Sequence, residues 1–252
     1  MLDRFSRHTA PYLNNQYYLK VVGDKVKLTR LYQVKESGWE DSDEPKKREI
    51  VNETKQKRHL MRARETVFEY AYCNEWDWFF TGTIDGKKLD RSDLGEFEKK
   101  LTQMIRNERR KGYDIQYVII PELHGDMENW HCHGLIKGLP FECLTHYKDD
   151  KYNWDKYTAM FGFNSLEPIR NHEAVSKYLT KYITKTFNQN KGVSEVGKRL
   201  YLNSTGLQKG EIKRKGSIVG TIDQQPDFEN EFCQIYNFTI NDLDWLLKLY
   251  ED

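Results

Sequence analysis

The chain has 252 residues, enough for one large domain or one core domain with extensions, and it is rich in Tyr (16) and Phe (12). This composition excludes a disordered protein. The sequence has no apolar stretch long enough to span a bilayer, and residues 1–16 lack the apolar centre of a signal peptide. We therefore expect no membrane partner and a cytoplasmic location.

Charge is distributed unevenly, although the net charge is only +1. Residues 46–64 contain eight basic and two acidic side chains, and residues 177–215 contain ten basic and two acidic ones. Residues 36–44 and the segment from 223 onward are acidic. Such asymmetry suits a basic face that binds phosphates, but it suits solvated helices equally well, so charge alone leaves both interpretations open.

The N-terminal part is predicted to be a β-hairpin. Residues 12–34 alternate apolar and polar side chains around Gly23-Asp24, a typical turn pair. Residues 36–56 are charged and turn-like, which indicates a linker, and a helix is expected from about residue 56 to residue 73. We assign residues 1–55 to an N-terminal hairpin and charged linker.

The middle of the chain alternates predicted strands with predicted helices. The helix at 91–111 has apolar residues at helical spacing, and Asp90 or Ser92 can cap its start. Asn171 can cap another helix. The elements expected in chain order are a strand at 78–84, the helix at 91–111, strands at 115–121 and 130–137, a helix at 153–160, a strand at 162–169 and a helix at 171–187.

This order of elements predicts an α+β fold. The short link between strands 115–121 and 130–137 implies antiparallel neighbours. We expect a central, mostly antiparallel β-sheet flanked by helices, with the helices on one face. Residues 56–190 form the predicted core, and residues 191–252 form a C-terminal extension packing on or beside it. Within the extension we expect strands at 199–207 and 232–240 and a helix at 242–250.

A histidine cluster is the first chemical feature. Side chains alternate along a strand, so His131 and His133 share a face and lie about 7 Å apart. If the two strands pair through the turn, Glu122 comes opposite the histidines, with His124 nearby. Two imidazoles and a carboxylate suit a divalent cation, Mg²⁺ or Mn²⁺ for phosphate chemistry, while Zn²⁺ fits these ligands as well. A pair of surface histidines in a strand gives the same pattern.

Two tyrosines and two lysines on one predicted helix are the second feature. Tyr178, Lys181, Tyr182 and Lys185 are spaced so that all four lie on one stripe of the helix. A nearby lysine favours the phenolate of a tyrosine, and it can also bind a phosphate. The stripe therefore suits attack on a phosphodiester to give a phosphotyrosine. The alternative is that the tyrosines pack and the lysines face water.

In this order, three segments resemble the motifs of the HUH endonuclease superfamily. Residues 79–83 (FFTGT) resemble its first motif, residues 131–133 (HCH) its His–hydrophobic–His motif, and residues 178–182 (YLTKY) its two-tyrosine motif. The likeness covers about residues 75–187 and is to rolling-circle replication initiators (Rep) of small circular-DNA phages and plasmids. It implies an HUH nuclease fold, with an RRM-like palm, for the core at 56–190.

The resemblance also implies roles for single residues. His131 and His133 match the metal-binding histidines and Glu122 the acidic ligand, with His124 an alternative third ligand. A divalent ion, Mg²⁺ or Mn²⁺ and less expectedly Zn²⁺, is implied. The paired nucleophiles and the lysines beside them match Tyr178, Tyr182, Lys181 and Lys185.

The implied activity is the start of rolling-circle replication. One tyrosine nicks single-stranded origin DNA, keeps the 5′ end as a phosphotyrosine and frees a 3′-OH for a host polymerase; the strand is later rejoined. The sequence lacks the phosphate-binding loop motif of helicases, so a host helicase in the cytoplasm of a bacterial host cell is expected as a partner. The alternatives are an HUH mobilisation protein or transposase, and a noncatalytic zinc-containing origin-binding protein.

Overall fold

The computed structural model describes residues 12–35, 48–126, 128–189 and 200–250. These residues form two compact units, the large unit (49–209) and the small unit (1–48 with 210–252). The strands are β1 (Tyr12–Val22), β2 (Lys25–Lys35), β3 (Trp78–Thr83), β4 (Gln116–Leu123), β5 (Trp130–Lys137), β6 (Leu144–Lys148), β7 (Lys151–Trp154), β8 (Asn164–Pro168), β9 (Leu202–Asn203), β10 (Glu211–Gly216), β11 (Phe228–Glu229) and β12 (Cys233–Thr239). The helices are α1 (Arg48–Tyr72), α2 (Leu94–Arg110), α3 (Asp155–Met160), α4 (His172–Gln189) and α5 (Leu243–Leu247), with 3₁₀ turns at Phe141–Cys143 and Ile240–Asp242.

The small unit is built on a five-stranded antiparallel sheet in the order β10-β1-β2-β12-β11. The predicted hairpin is confirmed as β1 and β2, and Gly23 turns the chain with a φ of 61°, a left-handed conformation that costs glycine little. Leu19, Val26 and Leu28 form the core of this unit together with Leu246 of α5.

Both ends of the described chain contribute to this one sheet. β12 pairs with β2, and β10 pairs with β1. The sequence analysis treated residues 1–55 and 191–252 as separate segments, because strands so far apart leave no joint pattern in a single sequence. Helix α1 begins at Arg48, within the predicted linker, whose residues 36–47 lie outside the described part.

The large unit has a seven-stranded sheet in the order β6-β7-β8-β3-β5-β4-β9, and every strand pairing recorded in it is antiparallel. The α+β class is confirmed. The helices cover both faces, however, and not one as expected. The reason is visible in β4, whose sequence QYVIIPEL is apolar on both sides and buried from Tyr117 to Leu123. A strand of this kind needs a packed layer on each side.

The two layers are distinct. The closed face of the sheet packs against α2 and α3 through the fully buried rings of Phe97, Tyr157 and Phe161. The opposite face, called here the site face, packs against α1 and α4. The apolar contacts of the site face are made by Val67 of α1 and by Leu179 and Ile183 of α4 with Val118, Ile120 and Leu135 of the sheet.

Helix boundaries follow local hydrogen bonds. Helix α4 starts where predicted, because the Asn171 side chain accepts a hydrogen bond from the Ala174 amide at 2.8 Å. Helix α2 starts later than predicted: Asp93 caps it by accepting from the Glu96 amide, whereas Asp90 binds Ser92. Both Asp90 and Ser92 therefore precede the cap.

Other boundaries differ more from the prediction. The hairpin of β6 and β7 was not expected, and the predicted strand at 199–207 is reduced to the two residues of β9. Strand β12 and helix α5 confirm the elements expected at 232–240 and 242–250, although both are shorter. Among the described residues, we find no helix with the length and apolar character needed to cross a membrane.

Candidate active site

Strand β5 places both histidines of the cluster on the site face. His131 and His133 alternate with Cys132, which is fully buried on the closed face. The register pairs Glu122 of β4 with His131, and Thr81 of β3 with His133. Residues directly opposite each other in an antiparallel sheet point to the same side, so all four polar side chains belong to the site face.

Glu122 is held between an imidazole and an ammonium group. Its carboxylate lies 2.7 Å from Nε2 of His133 and forms an ion pair with Lys185 of α4. The carboxylate is only 7% exposed and His133 13% exposed. A buried carboxylate is stable only with such partners, so Lys185 neutralises Glu122.

His133 is a neutral imidazole with a defined tautomer. Burial lowers the pKa of His133 to about 4, although the nearby Glu122 carboxylate opposes that shift. A carboxylate can only accept, so Nε2 of His133 donates to Glu122. Nδ1, 3.2 Å from the hydroxyl of Thr81, then accepts from it. Thr81 was included in the sequence motif, but its partner was not foreseen.

His131 has a different environment. Its ring stacks on the ring of His124 with a centroid distance of 4.7 Å, and His124 also lies 3.3 Å from Asp126. Burial and then the proximity of His124 lower the pKa of His131. The two candidate ligands His131 and His124 therefore form a stacked pair beside the contact between Glu122 and His133.

The donor chemistry of this face suits a divalent cation, but the donors are not arranged as a complete ligand set. Neutral imidazoles and a carboxylate are suitable ligands, and His131 lies opposite Glu122 in the strand pairing. Within the described part of the chain, no three His, Cys, Asp or Glu side chains are grouped so as to hold a metal ion. Metal binding at Glu122, His131 and His133 therefore stays a prediction.

Helix α4 brings its tyrosines to the histidines. The ring of Tyr182 stacks on the ring of His133 with centroids 3.9 Å apart and 14° between the planes. The Tyr182 hydroxyl donates a hydrogen bond to the Tyr178 hydroxyl at 2.8 Å. The helix is fixed at this height because Leu179 and Ile183, on the adjacent stripe, are fully buried against the sheet.

The two tyrosines differ in their surroundings. Burial, followed by the hydrogen bond to Tyr178, raises the pKa of Tyr182, so its phenol stays neutral. Tyr178 is 44% exposed, and Nζ of Lys181 lies 5.3 Å from the centre of its ring. Lys181 therefore accompanies the exposed tyrosine, whereas Lys185 is bound to Glu122.

A groove of about 490 Å³ opens beside Tyr178. Phe79 of β3 lies between the groove and the histidines, with its ring 5.8 Å from that of Tyr178 and 6.3 Å from that of His133. Arg170 and Lys177 also line it. The sequence analysis did not single out these two basic residues. The spacing of Lys177 four residues before Lys181 could have indicated the first of them.

Comparison with known proteins agrees with this region of the chain. Comparisons with curated proteins and with solved structures gave no match. A family model does match, over residues 77–187, from β3 to the tyrosines of α4. This part of the chain is similar to the family described as replication-associated protein ORF2, which supports a role as a replication initiator that interacts with DNA at an origin.

Proposed function

We propose that the chain is an HUH-type endonuclease that nicks single-stranded origin DNA by tyrosine attack. The observation that supports this most is the stacking of Tyr182 on His133, with the Tyr182 hydroxyl bonded to that of Tyr178. Phenols on a helix and imidazoles on a sheet thus lie close enough to act on one phosphodiester. The similarity of residues 77–187 to replication-associated proteins supports the same activity.

In the proposed reaction, a tyrosine oxygen attacks the phosphorus of the scissile bond. The bond from phosphorus to the 3′ oxygen breaks, and the 5′ end stays on the protein as a phosphotyrosine. The freed 3′ oxygen takes up a proton and becomes the primer for a host DNA polymerase, while a host helicase opens the duplex. The second tyrosine then cuts the regenerated site, and the new 3′-OH attacks the first phosphotyrosine to close the circle.

The proposed metal ligands are Glu122, His131 and His133, with His124 as an alternative third ligand. We expect Mg²⁺ or Mn²⁺ more than Zn²⁺. When bound, such an ion would polarise the scissile phosphate and stabilise the charge that develops on it. The chain itself contributes the orientation of His133, which Glu122 and Thr81 hold from its two ring nitrogens.

The lysines have separate proposed roles. Lys181 lies beside Tyr178, where its charge favours the phenolate and binds the phosphate. Lys185 keeps the buried carboxylate of Glu122 ionised and in place. Of the two lysines carried over from the resemblance, Lys181 is therefore the better candidate for direct contact with DNA.

The test is formation of a covalent protein–DNA adduct. The protein is incubated with Mn²⁺ or Mg²⁺ and a pool of random-sequence single strands labelled at the 3′ end, because the 3′-terminal fragment is the one that stays attached. We expect labelled protein on a denaturing gel. The label should disappear with EDTA, with His131→Ala, and with the double change Tyr178→Phe and Tyr182→Phe.

A matched control is Tyr147→Phe, because Tyr147 is also exposed on the large unit but lies on β6, with its hydroxyl bonded to Ser165. This variant should form the adduct like the parent. An adduct that persists in the double tyrosine variant places the nucleophile elsewhere and refutes the proposal. Zinc in the purified protein together with DNA binding but no adduct would instead support the noncatalytic origin-binding alternative.

A further inference from the structure

The groove beside Tyr178 combines an apolar wall with a basic rim. Phe79, Ile169 and Val175 provide apolar surface, and Arg170, Lys177 and Lys181 provide positive charge. Its volume of about 490 Å³ falls within the range of small-ligand sites. An aromatic ring with cations around it is the combination that binds unpaired bases and their phosphates in single-stranded nucleic acids.

Only one of the two tyrosines borders this groove. Tyr178 lines it and is 44% exposed. Tyr182 lies behind, stacked on His133, and its hydroxyl hydrogen is directed to the Tyr178 oxygen. A strand lying in the groove therefore meets the oxygen of Tyr178 before it can reach that of Tyr182.

We infer that the groove binds the nucleotide next to the scissile phosphate and that Tyr178 makes the first cut. This inference rests on the proposed nicking activity and adds to it the order of the two nucleophiles and the place of the strand. The bond from Tyr178 oxygen to phosphorus forms while the bond from phosphorus to the 3′ oxygen breaks. The proton lost by the phenol is balanced by the proton gained by the 3′ oxygen, so no co-reactant is needed.

The contacts around the groove position its rim. Lys177 forms an ion pair with Glu173 one turn earlier on α4, and Arg170 pairs with Asp150 at the end of β6. Lys181 lies against the ring of Tyr178. These cations surround the Tyr178 oxygen on the side away from His133, so the strand's phosphates are attracted to that side.

The first experiment compares the two single variants in one round of adduct formation. With the 3′-labelled strand pool and Mn²⁺, Tyr182→Phe should form the first adduct within roughly threefold of the parent rate, whereas Tyr178→Phe should slow it by at least about a hundredfold. The opposite order, or equal rates for both variants, would overturn the inference. Either result leaves the nicking activity intact, provided that the double variant is inactive.

The second experiment fills the groove. Ala174 is exposed on α4 and lines the groove, so Ala174→Trp occupies the space without disturbing the core. Gln103→Trp places the same side chain on an exposed position of α2, outside the groove. Both are made in the double tyrosine variant, and binding of the labelled single strands is measured by fluorescence anisotropy.

Loss of one stacked base corresponds to at least about a tenfold weaker affinity. We expect that loss for Ala174→Trp and no change for Gln103→Trp. Equal affinity in the two variants would show that the strand does not enter the groove, and it would overturn that part of the inference whichever tyrosine cuts first.

Discussion

The closed face and the site face of the seven-stranded sheet use the same strands for different purposes. On β5, Cys132 points to the closed face, where it is fully buried beside Tyr157, and burial raises the pKa of its thiol to about 12. Its neighbour His133 points to the site face, where it meets Glu122 and Tyr182. One residue step along a strand thus separates an inert side chain from a candidate catalytic group.

The first sequence motif shows the same division. Thr81 on β3 supports His133 on the site face, whereas Gly82 points to the closed face. A Cβ on Gly82 would lie 2.7 Å from the ring of Tyr157 and 2.8 Å from the sulfur of Cys132. The motif therefore contains one residue that positions a histidine and one that lets a core ring approach the backbone. Packing on one face and chemistry on the other are specified within two residues.

The largest expected effect separates the faces by stability. Phe161 is fully buried on the closed face, in edge-on contact with Phe97. Phe161→Ala should lower the free energy of unfolding of the large unit by about 3–5 kcal/mol, through lost burial and the cavity left behind. Tyr178→Phe, on the exposed part of the site face, should change it by about 0.5 kcal/mol or less.

Urea titrations followed by circular dichroism measure both values. Equal costs for the two variants would contradict the division, because they would mean that the tyrosine on the site face supports the fold as much as the core ring does.

The next effect is a pH dependence that belongs to the site face. Burial keeps the pKa of His133 near 4 in the native state, below the ordinary value of about 6.5 expected after unfolding. Between these values the unfolded chain binds a proton that the native chain does not. The stabilisation is therefore complete above about pH 6.5 and is lost as the pH falls towards 4, by about 3 kcal/mol in total.

The measurement is the stability of the metal-free protein in EDTA between pH 7 and pH 4 (about the two pKa values). His133→Gln should remove this component of the slope, while His146→Gln, at an exposed position on β6, should keep it. An unchanged slope in His133→Gln would show that burial of this imidazole does not control acid stability.

Much of this division could be predicted from the sequence, because it depends on local periodicity. Alternation along 130–137 placed the two histidines on one face, and helical spacing placed Tyr178 and Tyr182 on one stripe. The cap at Asn171 was equally local, since an Asn side chain reaches an amide three residues on. Those features were correct because each needs only neighbours in the chain.

What could not be predicted depends on residues brought together by the fold. The ion pair between Lys185 and Glu122 joins α4 to β4, and its existence removes Lys185 from the set of phosphate contacts. The stacking of His131 on His124 needs the geometry of the turn between β4 and β5. The sheet of the small unit joins strands from both ends of the chain. Such contacts carry no period, so a single sequence does not reveal them.

The smallest expected effect compares two helix caps that have the same geometry on opposite faces. Asp93 caps α2 and Asn171 caps α4, each accepting a backbone hydrogen bond at 2.8 Å. Replacing either by Ala should lower stability by about 1 kcal/mol. Only Asn171→Ala should also slow adduct formation, by roughly threefold to tenfold, because the first turns of α4 carry the groove and set the height of Tyr178.

Asn171→Ser separates the two contributions, since serine caps a helix about as well as asparagine. If α4 acts by positioning Tyr178, this variant recovers both stability and the rate of adduct formation. If Asp93→Ala slows the adduct as much as Asn171→Ala does, a loss of about 1 kcal/mol anywhere in the large unit is enough to disturb the site. The rate would then follow global stability, and the separation of a stabilising face from a reacting face would fail.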